Sequence, residues 1–165
     1  MNSPLAATVH SAARIVVGVD GSEPSKRALR WAGFLADTLG GTIEAVAAWQ
    51  PFTDWGPMGT GWAMMPADWD PSGDAEKFLA ATVDEVFGAH RPQGLRLTVR
   101  EGNAAKVLLE ASGDARMLVV GSRGHGGFAG LLLGSVSAAC AEHAICPVLV
   151  LHGTTPPPTQ SGELS

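Results

Sequence analysis

Apolar residues fall into short unbroken runs separated by stretches of helical period. Ile15 to Val19 carries no polar side chain, as expected of a strand covered on both faces. Asp20-Gly21-Ser22 is a turn, and Ser22 can cap a helix reaching about Leu39, with Pro24 in its first turn. Ala28, Leu29, Trp31, Ala32, Leu35 and Leu39 recur at helical spacing and form its buried face, and Gly40-Gly41 stops it. Thr42 to Trp49 is a second strand, so the first two strands form a βαβ unit and run parallel. A helix is expected from about Asp74 to His90, with Phe78, Leu79, Val83 and Phe87 on one face. Leu95 to Arg100 alternates apolar and polar, which marks an edge strand with one wet face. Asn103 caps a short helix, Ala104 to Ser112, that leads to the strand Met117 to Val120. A last helix, Ser135 to about His143, precedes the strand Val148 to His152, which Pro147 opens. Five strands alternating with helices predict an open, doubly wound parallel sheet in one domain, 14–152. Met1 to Ala13 is expected to be a disordered leader, and 153–165, with three consecutive prolines, a disordered tail.

Two stretches stand outside this alternation. Pro51 to Gly73 holds four prolines, four glycines and three tryptophans, so neither helix nor strand is expected there. Trp55, Trp62 and Trp69 recur every seven residues, but Gly56, Pro57, Gly59, Gly61 and Pro66 exclude a coiled coil. Such a loop is either a lid packed on the body or a wall over a ligand or partner.

The second stretch is Gly121 to Ser135, with five glycines between Gly121 and Gly130. Strand, glycine loop and helix N-terminus together suit phosphate. Backbone without a Cβ approaches an anion closely, and the helix end presents N–H groups and the positive pole of its dipole. Ser135 can cap the helix and also donate its hydroxyl to phosphate. Arg123 and His125 add side-chain donors, with Ser122 beside them. A Walker A loop is excluded, because Gly134 rather than lysine precedes Ser135. Gly124 to Ala129 matches the dinucleotide pattern G-x-G-x-x-A, but it follows a late strand instead of opening a first βαβ unit.

Gly121-x2-Gly124-x9-Gly134-Ser135 resembles the ATP-binding signature of the universal stress protein family. The opening Ile15 to Ser22 and the strands Leu118 to Val120 and Pro147 to Leu151 are also similar to it, over roughly Arg14 to His152. The resemblance implies strand order 3-2-1-4-5 in an adenine nucleotide alpha hydrolase-like fold. On that order, Asp20 and Gly121 end neighbouring strands at the switch point where ligands bind. Gly18 and Val19 then line the wall. Asp20 accepts from a ribose hydroxyl or holds a divalent cation, Mg2+ or Mn2+, against the phosphates. The phosphate loop comprises Gly121, Ser122, Arg123, Gly124, His125, Gly126, Gly127, Gly134 and Ser135. Adenine contacts fall at Ala48 and Val120, and a further contact at Val136. The family pairs its last strand across a two-fold axis, implying a homodimer through Val148, Leu149, Val150 and Leu151.

Composition narrows the partners. The 165 residues are 45% hydrophobic with a net charge of −5. A nucleic-acid binder would show a basic face, and no apolar run has the length of a membrane span. Cys140 and Cys146, in a C-x5-C spacing without redox or metal signature, read as unbridged thiols, which places the chain in the cytoplasm. Asp20 is the only obvious acid at the crevice, His143 and Glu142 lie late in a helix away from its N-terminus, and His10, His90 and His152 make no spaced pair with metal ligands. The expectation is nucleotide binding without fast turnover. AMP or cyclic AMP in the same site, and a dimeric interaction module with an empty site, are the alternatives.

Overall fold

The computed structural model describes residues 13–50, 69–124 and 132–158. The elements are β1 (Arg14–Gly18), α1 (Glu23–Leu39), β2 (Thr42–Trp49), α2 (Pro71–Phe87), β3 (Arg96–Glu101), α3 (Ala104–Ala111), β4 (Met117–Gly121), α4 (Ser135–His143) and β5 (Val148–Leu151). All strand pairs are parallel, in the order β3-β2-β1-β4-β5. The fold class and strand order are therefore those expected.

Alternation along each strand divides the core in two. Ile15, Val17, Ile43, Ala45 and Val119 pack with Leu29 of α1 and Leu79 and Val83 of α2. Val16, Val46, Leu118 and Val120 face the other way, against Val107 and Leu108 of α3 and Cys140 of α4. The side chain of Ser22 accepts from the Ser25 amide at 3.3 Å, capping α1 as its sequence predicts.

Helix α2 starts earlier than expected. Asp70 is its N-cap, accepting from the Gly73 amide at 3.0 Å, and Pro71 sits in the first turn. The stretch read as loop to Gly73 thus ends in helix, because a proline at the first helical position costs no hydrogen bond. The helix closes at Gly88 rather than His90. Its buried residues are Leu79, Thr82 and Val83, whereas Phe78, placed on the buried face by spacing, is 45% exposed. Strand β3 does lie at an edge, and Leu97 of its apolar face is 38% exposed.

At the amino ends of the strands, Glu44 is buried in an ion pair with Arg14 and accepts the Thr98 hydroxyl at 2.7 Å. Arg14 also donates to the Ala111 carbonyl at 3.0 Å and pairs with Asp114. One guanidinium thus ties β1, β2 and the end of α3 together.

The leader lies outside the described residues except for Ala13, whose carbonyl accepts the Thr42 amide at 3.0 Å. In the described part of the tail, the Trp31 indole donates to the Thr155 carbonyl at 3.2 Å.

Both cysteines are unbridged, Cys140 buried and Cys146 half-buried. Burial pushes the Cys140 thiol up to about 11, with Cys146 adding to the shift. The native protein should consume one equivalent of maleimide at pH 8, at Cys146, and a second only after denaturation. The unfolded thiol ionises from its ordinary value of 9.0 while the folded one holds its proton. That contribution to stability is complete below pH 9 and is lost as pH rises toward 11. Denaturation midpoints measured across that window should fall, and fall less in Cys140→Ala.

Candidate functional site

Connections leave β1 and β4 in opposite directions, so a crevice opens between their carboxyl ends. There the chain forms a cleft of about 290 Å³. Its inner wall is apolar: Val46 and Ala48 of β2, Val120 of β4, Val136 of α4, and Ala104 and Leu108 of α3. Its rim is backbone and polar: Gly18, Val19, Asp20, Gly121, Arg123, Gly124, Gly134 and Ser135, with Ser25 and Ser137 below.

The turn after β1 sets the acid. Asp20 Oδ1 accepts the Ser22 amide at 3.0 Å and the Ser22 hydroxyl at 2.5 Å. Its other oxygen, Oδ2, faces Gly124 so closely that a β-carbon there would lie 2.5 Å away. Asp20 and Arg123, both exposed, are the charged groups among the described residues lining the cleft.

The loop is anchored at both ends. Gly121 ends β4 against the first turn of α1, where a β-carbon would sit 2.6 Å from Pro24 Cβ and 2.7 Å from its carbonyl carbon. The Ser137 hydroxyl donates to the Gly121 carbonyl at 2.6 Å, and the Gly134 amide to the Ser122 carbonyl at 2.8 Å. These bonds bring the start of α4 back beside the end of β4. The first helical amides of α4 therefore stand at the rim, an arrangement able to receive an anion.

Two sequence expectations change. Ser122 does not line the cleft. It is buried, and its backbone is spent on structure, the amide donating to Leu151 at 2.9 Å and the carbonyl accepting from Gly134. Ser135 is not the cap of α4: Gly134 holds that position with no side-chain cap, and Ser135 is the first helical residue. Its hydroxyl is thereby left out of capping. His125, Gly126 and Gly127 lie outside the described residues. The other expected positions, including Ala48 and Val136, line the cleft together.

Sequence reasoning missed Ser25, Val46, Ala104, Leu108 and Ser137. Val46 was within reach, since alternation puts it on the same face as Ala48. Ala104 and Leu108 are one helical turn apart and share a face of α3, but only packing shows that this face closes the cleft. Among the described residues, no group of three or more His, Cys, Asp or Glu side chains could hold a metal ion. Nor, among them, is any helix long and apolar enough to cross a membrane.

The family model described as the universal stress protein family matches residues 12–152. A universal stress protein of Mycolicibacterium smegmatis is 32% identical over 144 residues, which cover 84% of this chain and 48% of that protein. The chain thus spans about half the length of the curated relatives it matches. A solved universal stress protein in complex with cAMP is 28% identical with a TM-score of 0.58, over 86% of this chain and 98% of that one. The UspA structure from Lactobacillus plantarum, 18% identical over 85% of this chain and 97% of its own, superimposes with a TM-score of 0.64.

Proposed function

We propose, from the premise that the chain belongs to the universal stress protein family, that its cleft binds ATP as a nucleotide-dependent stress or signalling module. One observation carries the reading: the crevice between β1 and β4 is apolar within and rimmed by backbone and hydroxyl groups. A purine base suits the wall of Val46, Ala48, Leu108 and Val120, where a flat apolar face loses water on both sides. The phosphates then run toward Gly121, Gly124 and the start of α4. There Arg123 and the Ser135 hydroxyl supply donors, and His125, Gly126 and Gly127 complete the loop. Asp20 faces the ribose, or a divalent cation shared with the phosphates.

Turnover is proposed to be slow at most. Phosphoryl transfer to water calls for a positioned base and charge neutralisation at the reacting phosphate. Asp20 is the single carboxylate among the described lining residues, and its Oδ1 is already engaged by Ser22. AMP or cyclic AMP in the same cleft is the second reading, favoured by the 28% identical structure in complex with cAMP.

Strand β5 pairs only with β4 among the described strands, and an edge of half-buried Val148, Leu149 and Val150 suits pairing with a second copy. We place the protein in the cytoplasm, where two unbridged cysteines are at home. Sedimentation at micromolar concentration should give twice the 17.0 kDa chain mass; a monomer would remove the dimer.

Calorimetry with ATP, AMP and cyclic AMP tests the ligand. Tightest binding of ATP is expected. Tight cyclic AMP binding with none of ATP would overturn that choice. A steady hydrolysis rate of about one per second or more would overturn the slow-turnover reading.

A further inference from the structure

Phe78 is a large apolar side chain that the core does not use. It lies on the second turn of α2, 45% exposed, while Leu79, Thr82 and Val83 bury the helix. Its ring presses on Gly21. A β-carbon at Gly21 would lie 2.3 Å from Phe78 Cζ and 2.9 Å from Cε2, so the ring covers the side of the turn where any other residue would project. Gly21 has φ +78, a conformation that side-chain-bearing residues rarely adopt. Glycine enters that region as readily as it enters φ < 0, so its own dihedral preference does not pin the turn, and the packed ring is what narrows its choice. Gly21 joins Asp20, on the cleft rim, to Ser22, whose amide and hydroxyl both bond to Asp20 Oδ1. The ring, the left-handed glycine and the carboxylate form one continuous stack from α2 to the cleft. A second link, Lys26 of α1 to Glu85 of α2 at 2.7 Å, holds the two helices together further along.

We propose that Phe78 is a positioning residue for nucleotide binding: by clamping Gly21 it fixes the Asp20 carboxylate toward the cleft. It touches no ligand and acts only through Asp20. The inference rests on the nucleotide reading of the cleft, and it extends the site to α2, a helix that contributes no residue to the lining. Leucine would keep apolar bulk over Gly21, whereas alanine would uncover it.

The test uses the full chain with Phe78→Ala, Phe78→Leu, Asp20→Ala and the double variant Phe78→Ala/Asp20→Ala. Its first readout needs no ligand. Hydrogen exchange of the Ser22 amide should be about tenfold faster in Phe78→Ala and near the original rate in Phe78→Leu, while core amides keep their protection. Unchanged Ser22 exchange in Phe78→Ala would overturn the proposal. The second readout is affinity for whichever of ATP, AMP or cyclic AMP the unaltered protein binds most tightly. Phe78→Ala should weaken it about tenfold alone but less than about twofold in the Asp20→Ala background. An equal loss in both backgrounds would show that Phe78 acts by another route and overturn the proposal. If the unaltered protein binds none of the three, the nucleotide reading fails by itself and Ser22 exchange decides on the clamp alone.

Discussion

Replacing Arg14 with methionine should cost about 3 kcal/mol of folding stability, because it strands a buried carboxylate. That loss should lower Tm by roughly 10 °C for a domain of this size. The Glu44 side chain is only 7% exposed, and Arg14 is its one ionic partner among the described residues. The Thr98 hydroxyl would remain on Oε1, but a neutral donor compensates an isolated charge poorly. The Ala111 carbonyl would lose its donor as well. The pair is not intrinsically stabilising: a matched apolar pair of similar volume often does as well. The double variant Arg14→Met/Glu44→Met should therefore recover most of the loss. Chemical denaturation of the three proteins checks this. A single-variant cost below about 1 kcal/mol, the level of a surface ion pair, would show that water reaches Glu44.

The second large effect concerns the glycine rim. Gly124→Val and Gly134→Val should each weaken nucleotide binding by about 100-fold, equivalent to losing one or two charge-assisted hydrogen bonds. They should differ in what they do to the empty protein. At Gly124 a β-carbon meets Asp20 Oδ2 at 2.5 Å, so the acid must move even without ligand. At Gly134 the backbone has φ −69 and ψ 162, which any residue adopts, and the nearest atom to a β-carbon is 3.5 Å away. The fold makes no demand for glycine there. Gly134→Val should lower Tm by only about 3 °C, since valine is a poorer N-cap than glycine by about 1 kcal/mol but meets no clash there. Calorimetry beside thermal denaturation separates the two variants. Undiminished affinity in Gly134→Val would mean that phosphate does not approach α4, and the assignment of the rim to phosphate would fall.

The sequence announces this fold through local signals: unbroken apolar strands, the caps Ser22 and Asn103, and the stop at Gly40. Side-chain periodicity fixes which face of β2 carries Val46 and Ala48, yet it cannot say which helix covers that face. Ala104 and Leu108 were invisible as site residues for that reason. The Phe78 error has the same origin. Helical spacing groups it with Leu79 and Val83, but its ring lies against the turn at Gly21 and stays 45% exposed. Ser122 was misplaced because a serine near a glycine loop reads as a donor, while its backbone role depends on a long-range partner, Leu151. Asp70 went unseen as a cap because proline and glycine dominate its neighbourhood and Pro71 looks like a breaker.

The Arg14–Glu44 cluster and the cleft sit at opposite ends of the same strands, with the apolar runs of β1 and β2 between them. Substitutions that retune ligand preference around Ala48, Arg123 or Gly134 therefore fall far from the ionic tie that secures the fold. Descendants of this chain can explore new ligands with little risk of failing to mature, and the reverse holds too: repair of a weakened scaffold at Arg14 or Thr98 leaves chemistry at the far end untouched.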